Sequence, residues 1–119
     1  MTYTHLTADD PSIESFRGIF MKVRRALGTT AFGLNEIRMP PGFRGIEHDE
    51  SETGHEEVYV VLDGEGVFTI DGEEVGVAAG DYLRVDAAAT RIAVAGESGM
   101  RFLVIGGCPL PEYNGRESL

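Results

Sequence analysis

Residues 42–66 read GFRGIEHDESETGHEEVYVVLDGEG and join three features in one stretch. A segment crowded with histidine and carboxylate side chains leads into the apolar run 58–62, and the turn-forming pair Asp63-Gly64 follows. A short, continuous apolar run is typical of a strand buried on both faces. The stretch therefore predicts a group of polar side chains held at the start of a buried strand.

Short apolar runs separated by turn residues continue on both sides of this stretch. Because the runs are short and their turn residues are nearly regularly spaced, we expect an all-β sandwich or barrel. Turns are predicted at the Gly, Pro and Asp-Gly positions between the runs. The predicted strands are 19–27, 30–39, 58–62, 67–70, 73–77, 82–85, 91–95 and 100–107, with turns at 28–30, 40–42, 63–66, 71–72, 79–81 and 96–99.

Length and charge narrow the classes of function. A chain of 119 residues is expected to form one domain, with an N-terminal extension (1–17), a barrel (18–108) and a C-terminal tail (109–119). The net charge of -10 argues against nucleic acid and anionic membrane surfaces as partners. The N-terminus has no signal-peptide pattern, no run could span a bilayer, and the single Cys108 fits a reducing compartment, so we expect a cytoplasmic protein.

The polar stretch also carries a recognisable motif. Gly42 is followed after five residues by His48, and Glu57 is followed after six by Gly64. This spacing resembles the first motif of the cupin superfamily, and the resemblance covers residues 30–106. It implies a double-sheet jelly roll with an internal cavity, a small-molecule ligand and, in many members, a homodimer.

The resemblance also implies a metal site, from which this sequence departs at two positions. Many cupins bind a divalent metal through two first-motif histidines, the motif glutamate and a second-motif histidine. His48 and Glu57 match these positions, whereas Glu50 stands in place of the second histidine. Counted from Gly80, the second motif keeps only its spacing and puts Arg91 at the last ligand position.

Two interpretations of the site follow. In the first, His48, His55 and Glu57 bind Fe, Mn or Zn, with Glu50 as a further oxygen ligand, since two imidazoles and a carboxylate are typical of open iron sites. This requires the strand to begin at His55, which would place His55 and Glu57 on one face. If Glu57 is buried, it needs a partner in either interpretation, because leaving one charge of a buried pair without the other costs about 3–5 kcal/mol.

In the second interpretation, Arg91 replaces the metal. Its guanidinium would pair with Glu57 and hold an anionic ligand, while Tyr59 lies on the same strand face as Glu57. The alternation in 91–95 predicts the opposite direction, with Ile92 inside and Arg91 in solvent, unless both faces of the strand are covered.

Three functions remain open. The chain is a metal-free binder of a small, anionic metabolite, a metal-dependent dioxygenase, isomerase or decarboxylase, or a dimeric scaffold without a ligand. The fold does not choose among them, because one fold hosts many chemistries.

Overall fold

The computed structural model describes residues 2–113 and 115, and nearly all its regular structure is antiparallel β-sheet. Residues 1, 114 and 116–119, which belong to the predicted N-terminal extension and C-terminal tail, lie outside the described residues. The elements are β1 (Ser15–Phe16), β2 (Phe20–Met21), α1 (Val23–Leu27), β3 (Gly33–Met39), β4 (Glu56–Ile70), β5 (Glu73–Ala78), β6 (Tyr82–Val85) and β7 (Arg91–Gly107). The predicted all-β class is confirmed. No helix among the described residues is long and apolar enough to cross a membrane.

Two long strands, β4 and β7, organise the sheet. They pair with each other in antiparallel register from Glu56↔Gly107 to Ile70↔Arg91. The strand order is β1-β2-β3-β7-β4-β5, and β6 pairs with β4. On the other edge of β7, residues 43–48 run alongside residues 91–95 and exchange backbone hydrogen bonds with them. The segment that carries His48 is thereby held beside the start of β7.

Two predicted turns are wrong, because β4 runs through residues 63–66 and β7 runs through residues 96–99. The β4–β7 register shifts near these positions, as expected where a bulge interrupts a ladder. Gly64 has a φ of 77°, and a Cβ there would overlap the carbonyl oxygen of Gly99. Asp63-Gly64 therefore lets two strands approach closely instead of reversing the chain.

The predicted strand 19–27 is also wrong in its second half, which forms α1. Only Phe20–Met21 is extended, and the sequence VRRAL that follows lacks the period-2 alternation of a strand. Gly28 has a left-handed φ of 79° and its N–H donates to the carbonyl oxygen of Arg24, so it caps the helix. The hairpin predicted at 28–30 is therefore a helix end.

The remaining turns and strands agree with the sequence. The turn at 71–72 joins β4 to β5, and the turn at 79–80 precedes β6. β3 ends at Met39, directly before the two prolines. The predicted strands at 30–39, 73–77 and 82–85 match β3, β5 and β6 to within three residues at each end.

The interior is built around three aromatic rings. The ring centroid of Phe68 lies 4.7 Å from that of Tyr59 and 5.4 Å from that of Phe102, and all three side chains are buried. Tyr59 and Val61 point inward, whereas Leu62 is 38 % exposed, so the predicted burial of run 58–62 on both faces is wrong. Since β6 lies beside β4 within the sheet, it does not cover the outer face of β4.

Candidate functional site

A cavity of about 470 Å³ lies on the inner face of β3, β4 and β7. Its wall is mostly apolar, and its polar groups come from the 42–57 segment, from the starts of β4 and β7 and, in Asn35, from β3. The aromatic and aliphatic lining residues are Phe20, Ile37, Met39, Ile46, Tyr59, Phe68, Ala93, Phe102 and Val104, and the polar ones are Asn35, His48, Glu50, Glu57 and Arg91. An apolar pocket with a few convergent polar groups is the usual form of a small-molecule site.

Arg91 is the most buried polar residue of the cavity, with 1 % of its surface exposed. Its Nη2 donates to the carbonyl oxygen of Asp86 at 2.9 Å. Within the described residues, its Nε and Nη1 have no hydrogen-bond partner. Buried donors are nearly always satisfied in proteins, so this guanidinium is an exception that calls for an explanation.

The alternation in 91–95 predicted that Arg91 points to solvent, and this is wrong. Arg91, Ile92 and Ala93 are all buried, at 1 %, 7 % and 8 % exposure. Residues 91–95 pair with β4 along one edge and with the 43–48 segment along the other. The burial of Arg91 and Ile92, which alternate in direction, shows that both faces of the strand are covered within one chain. The alternation of apolar residues in 91–95 therefore does not indicate whether the Arg91 side chain faces the interior or the solvent. No dimer partner is needed to cover Ile92, which is already buried in the single chain.

Glu57 and Tyr59 project inward from the start of β4, and the Tyr59 hydroxyl donates to Glu57 Oε1 at 2.7 Å. Burial, and then the neighbouring Glu57 charge, raise the pKa of Tyr59 far above its usual value, so the phenol stays protonated as a donor. No carboxylate of the described residues lies within 4.0 Å of the Arg91 guanidinium. The direct Arg91–Glu57 pair that the sequence suggested is thus replaced by a tyrosine–glutamate hydrogen bond.

His48, Glu50 and Glu57 come together in the cavity. One donor atom from each side chain lies within 4.8 Å of the others, and His48 Nδ1 is 3.1 Å from Glu50 Oε2. Backbone hydrogen bonds of 3.0 and 2.8 Å pair His48 with Arg91 directly across two strands. Directly opposed residues of antiparallel strands project to the same face, so the imidazole and the guanidinium belong to one site.

His55 is not part of this cluster. β4 begins at Glu56, one residue after His55. The His55 side chain still lies on the same side as Glu57, since a Cβ added at Gly106 would be 3.6 Å from both His55 Nδ1 and Glu57 Oε2, but it is outside the group of ligand atoms within 4.8 Å of one another. The structure thus gathers His48, Glu50 and Glu57, and it leaves out His55 from the predicted ligand set.

Sequence reasoning missed most of the apolar wall. Ile37 and Met39 alternate with Arg38 along β3, which is a visible signal for one inward face. Phe20 gave no such signal, because its strand has only two residues. The cavity therefore has a larger apolar side than the motif positions alone suggest.

A second cavity, of about 390 Å³, lies on the outer side of the sheet near the β1–β2 turn. Arg38 and Arg101 line it, and both donate to the nearly buried Glu36 Oε2, at 2.8 and 3.3 Å. These guanidiniums already have a carboxylate partner, unlike Arg91. We assign this cavity no function.

Comparisons with known proteins agree with this architecture. Residues 35–106 match the family model described as "Cupin domain". A cupin protein from Bacteroides fragilis has a crystal structure that is 24 % identical in sequence, with a TM-score of 0.77 over 99 % of this chain and 93 % of its own. A comparison with curated proteins found no match.

Two further solved structures carry more specific descriptions. One, a predicted oxalate decarboxylase from Thermotoga maritima, is 26 % identical with a TM-score of 0.60, over 76 % of this chain and 77 % of its own. The other, KdgF from Halomonas sp., is 19 % identical with a TM-score of 0.59, over 70 % of this chain and 74 % of its own. The structural likeness confirms the predicted jelly-roll fold.

Proposed function

This chain belongs to the cupin family, whose domain model covers residues 35–106, and on that premise we propose that it binds a small, anionic metabolite in the 470 Å³ cavity. Arg91 is the group that receives the anion. The same fold serves many chemistries, so the proposal rests on the cavity and its side chains.

One observation carries the proposal, which is the buried Arg91 whose Nε and Nη1 donate to no group in the part of the chain that the structure describes. A buried donor without a partner costs about 1–3 kcal/mol, and a charged one costs more. A ligand carboxylate or phosphate would remove this cost, because guanidinium matches both groups in geometry and charge. The unpartnered N–H groups of Arg91 thus support an oxyanion as the group that the cavity binds.

The rest of the wall specifies the body of the ligand. Phe20, Ile37, Phe68, Phe102 and Val104 line the cavity, and Asn35 is the one polar side chain among the β3 residues that line it. The ligand is therefore expected to combine one anionic group with an apolar portion. The Thermotoga maritima neighbour is described as a predicted oxalate decarboxylase, a name that refers to a small carboxylic acid, and this supports an acid as the ligand class.

A second candidate function is supported by the His48, Glu50 and Glu57 cluster. One imidazole and two carboxylates within 4.8 Å of one another are a ligand set that Fe, Mn or Zn accepts. The positive charge of Arg91, which lines the same cavity, would repel a metal cation and so weakens this candidate. When bound, such a metal would polarise an oxygen of an acid ligand. His48, Glu50 and Glu57 would hold the metal, Arg91 would hold the acid, and the cupin would be of the dioxygenase, isomerase or decarboxylase type.

Metal content and ligand binding separate these candidates. We expect purified protein treated with EDTA to retain its thermal shift with small carboxylic acids, since a ligand at about 100 times its dissociation constant adds about 2.7 kcal/mol. Arg91→Met should abolish the shift, and the control Arg25→Met should keep it, because Arg25 is an exposed residue paired with Glu14. A stoichiometric metal whose removal abolishes acid binding would establish the second candidate instead.

A protein that responds to neither acids nor metals would be the ligand-free scaffold. The homodimer and the cytoplasmic location stay predictions, and light scattering of the purified protein tests the first.

A further inference from the structure

The cavity holds more negative charge than a simple anion site should. Glu50 and Glu57 both line it together with Arg91. Glu50 has partners in His48, at 3.1 Å, and in the Thr53 hydroxyl, at 3.3 Å. Glu57 has the Tyr59 hydroxyl on Oε1, and no hydrogen bond to Oε2 is present among residues 2–113 and 115.

A plain anion would make this imbalance worse. Once its charge neutralises Arg91, the Glu57 carboxylate has only a neutral phenol as its partner in a mostly apolar cavity. Like charges in a part-buried site repel each other, so a ligand that carries only a carboxylate is disfavoured. A matching ligand therefore brings a positive charge as well as a negative one.

We propose that the ligand is a zwitterionic amino acid with an apolar side chain, whose carboxylate binds Arg91 and whose ammonium binds Glu57. This inference rests on the proposed function and specifies its ligand class. The ammonium donates to the free Oε2 of Glu57, while the Tyr59 hydroxyl fixes the other oxygen. The side chain of the ligand packs against the apolar wall formed by Phe20, Phe68 and Phe102.

Three probes with the same phenyl group test the charge requirement. L-Phenylalanine, 3-phenylpropanoate and 2-phenylethylamine are titrated by calorimetry into the full-length, EDTA-treated protein. We expect L-phenylalanine to bind at least about tenfold more tightly than either of the others, because each of them lacks one charge-assisted hydrogen bond. Equal or tighter binding of 3-phenylpropanoate would overturn the inference and leave the proposed anion site intact.

A charge-neutral variant identifies the ammonium partner. Glu57→Gln keeps the shape and the hydrogen bond to Tyr59, and it should lower the preference for L-phenylalanine over 3-phenylpropanoate by about tenfold. The control Glu47→Gln removes an exposed acid from the same stretch and should leave the preference unchanged. An unchanged preference in Glu57→Gln would exclude Glu57 as the partner.

The remaining outcomes also separate the hypotheses. Binding of 3-phenylpropanoate that appears only after Mn²⁺ is added would mean that a metal supplies the positive charge, which contradicts the inference. If neither acid binds with or without metal, the inference and the proposed function both fail.

Discussion

Replacing Arg91 with methionine should stabilise the ligand-free protein while abolishing ligand binding. Methionine has a similar length and no hydrogen-bonding groups that need partners in the cavity. The substitution removes two buried nitrogens without partners, each of which costs about 1–3 kcal/mol. It also removes one charge-assisted bond, from Nη2 to the carbonyl oxygen of Asp86, worth about 1.5–3 kcal/mol.

The loss is partly compensated within the structure, because the Asp86 carbonyl oxygen keeps the N–H of Ala89 as a donor at 3.2 Å. The balance is a net stabilisation of about 2 kcal/mol, taking the middle of both ranges. For a domain of this size that corresponds to a rise in Tm of roughly 5–10 °C.

Thermal and urea unfolding of Arg91→Met and wild type, both treated with EDTA, measure this difference. Arg84→Met is the matched control, because Arg84 is 57 % exposed and its ion pairs lie at the surface, where substitutions change stability by about 0.5 kcal/mol or less. A loss of stability in Arg91→Met would refute the reasoning. It would mean that the guanidinium stabilises the ligand-free fold instead of destabilising it until a ligand binds.

Three further predictions concern other parts of the molecule. Tyr59 has a raised pKa, so its contribution to stability is present below about pH 10, where the unfolded phenol is also protonated, and is lost as the pH rises above it. Above about pH 10 the free energy of unfolding, measured in urea, should fall with pH less steeply in Tyr59→Phe than in wild type, by up to about 1.4 kcal/mol per pH unit. Equal slopes in the two proteins would contradict the assignment. Gly66→Ala should cost about 1–3 kcal/mol, because its Cβ would lie 2.5 Å from the carbonyl oxygen of Val94, whereas Gly76→Ala meets no atom within 4 Å and should be neutral. If the protein binds Mn²⁺, His48→Ala should weaken that binding at least tenfold in calorimetry, by about 1.4 kcal/mol or more, and an unaffected affinity would place the metal elsewhere.

Much of the site was predictable because motif spacing and strand alternation agree at the start of β4. Glu57, Tyr59 and Val61 share a face by alternation, and the structure directs that face inward. Motif spacing also indicated that Glu50 takes the place of a ligand histidine, and Glu50 lies within the His48 and Glu57 cluster.

Arg91 and His55 show why the rest could not be predicted. Arg91 and Ile92 are both buried, because segments distant in the sequence cover both faces of β7 at this point, so local alternation gave the wrong environment for Arg91. His55 lies on the same side as Glu57 but outside the His48, Glu50 and Glu57 cluster, because alternation gives the face of a side chain and not its distance from residues of another segment. The bulges at 63–66 and 96–99 arise from pairing between distant segments, whereas Asp71-Gly72, the same dipeptide as Asp63-Gly64, forms a turn.

The central claim is that Arg91 receives the anionic group of a ligand, and the most direct test is the ¹⁵Nε–¹H NMR signal of its side chain. The signal is assigned by its absence from Arg91→Lys and followed while L-phenylalanine is added to the EDTA-treated protein. We predict a saturable shift of the Arg91 signal, with no shift on addition of 3-phenylpropan-1-ol, an uncharged analogue that lacks both the carboxylate and the ammonium. An Arg91 signal that stays unchanged while signals from other cavity residues shift would contradict the claim.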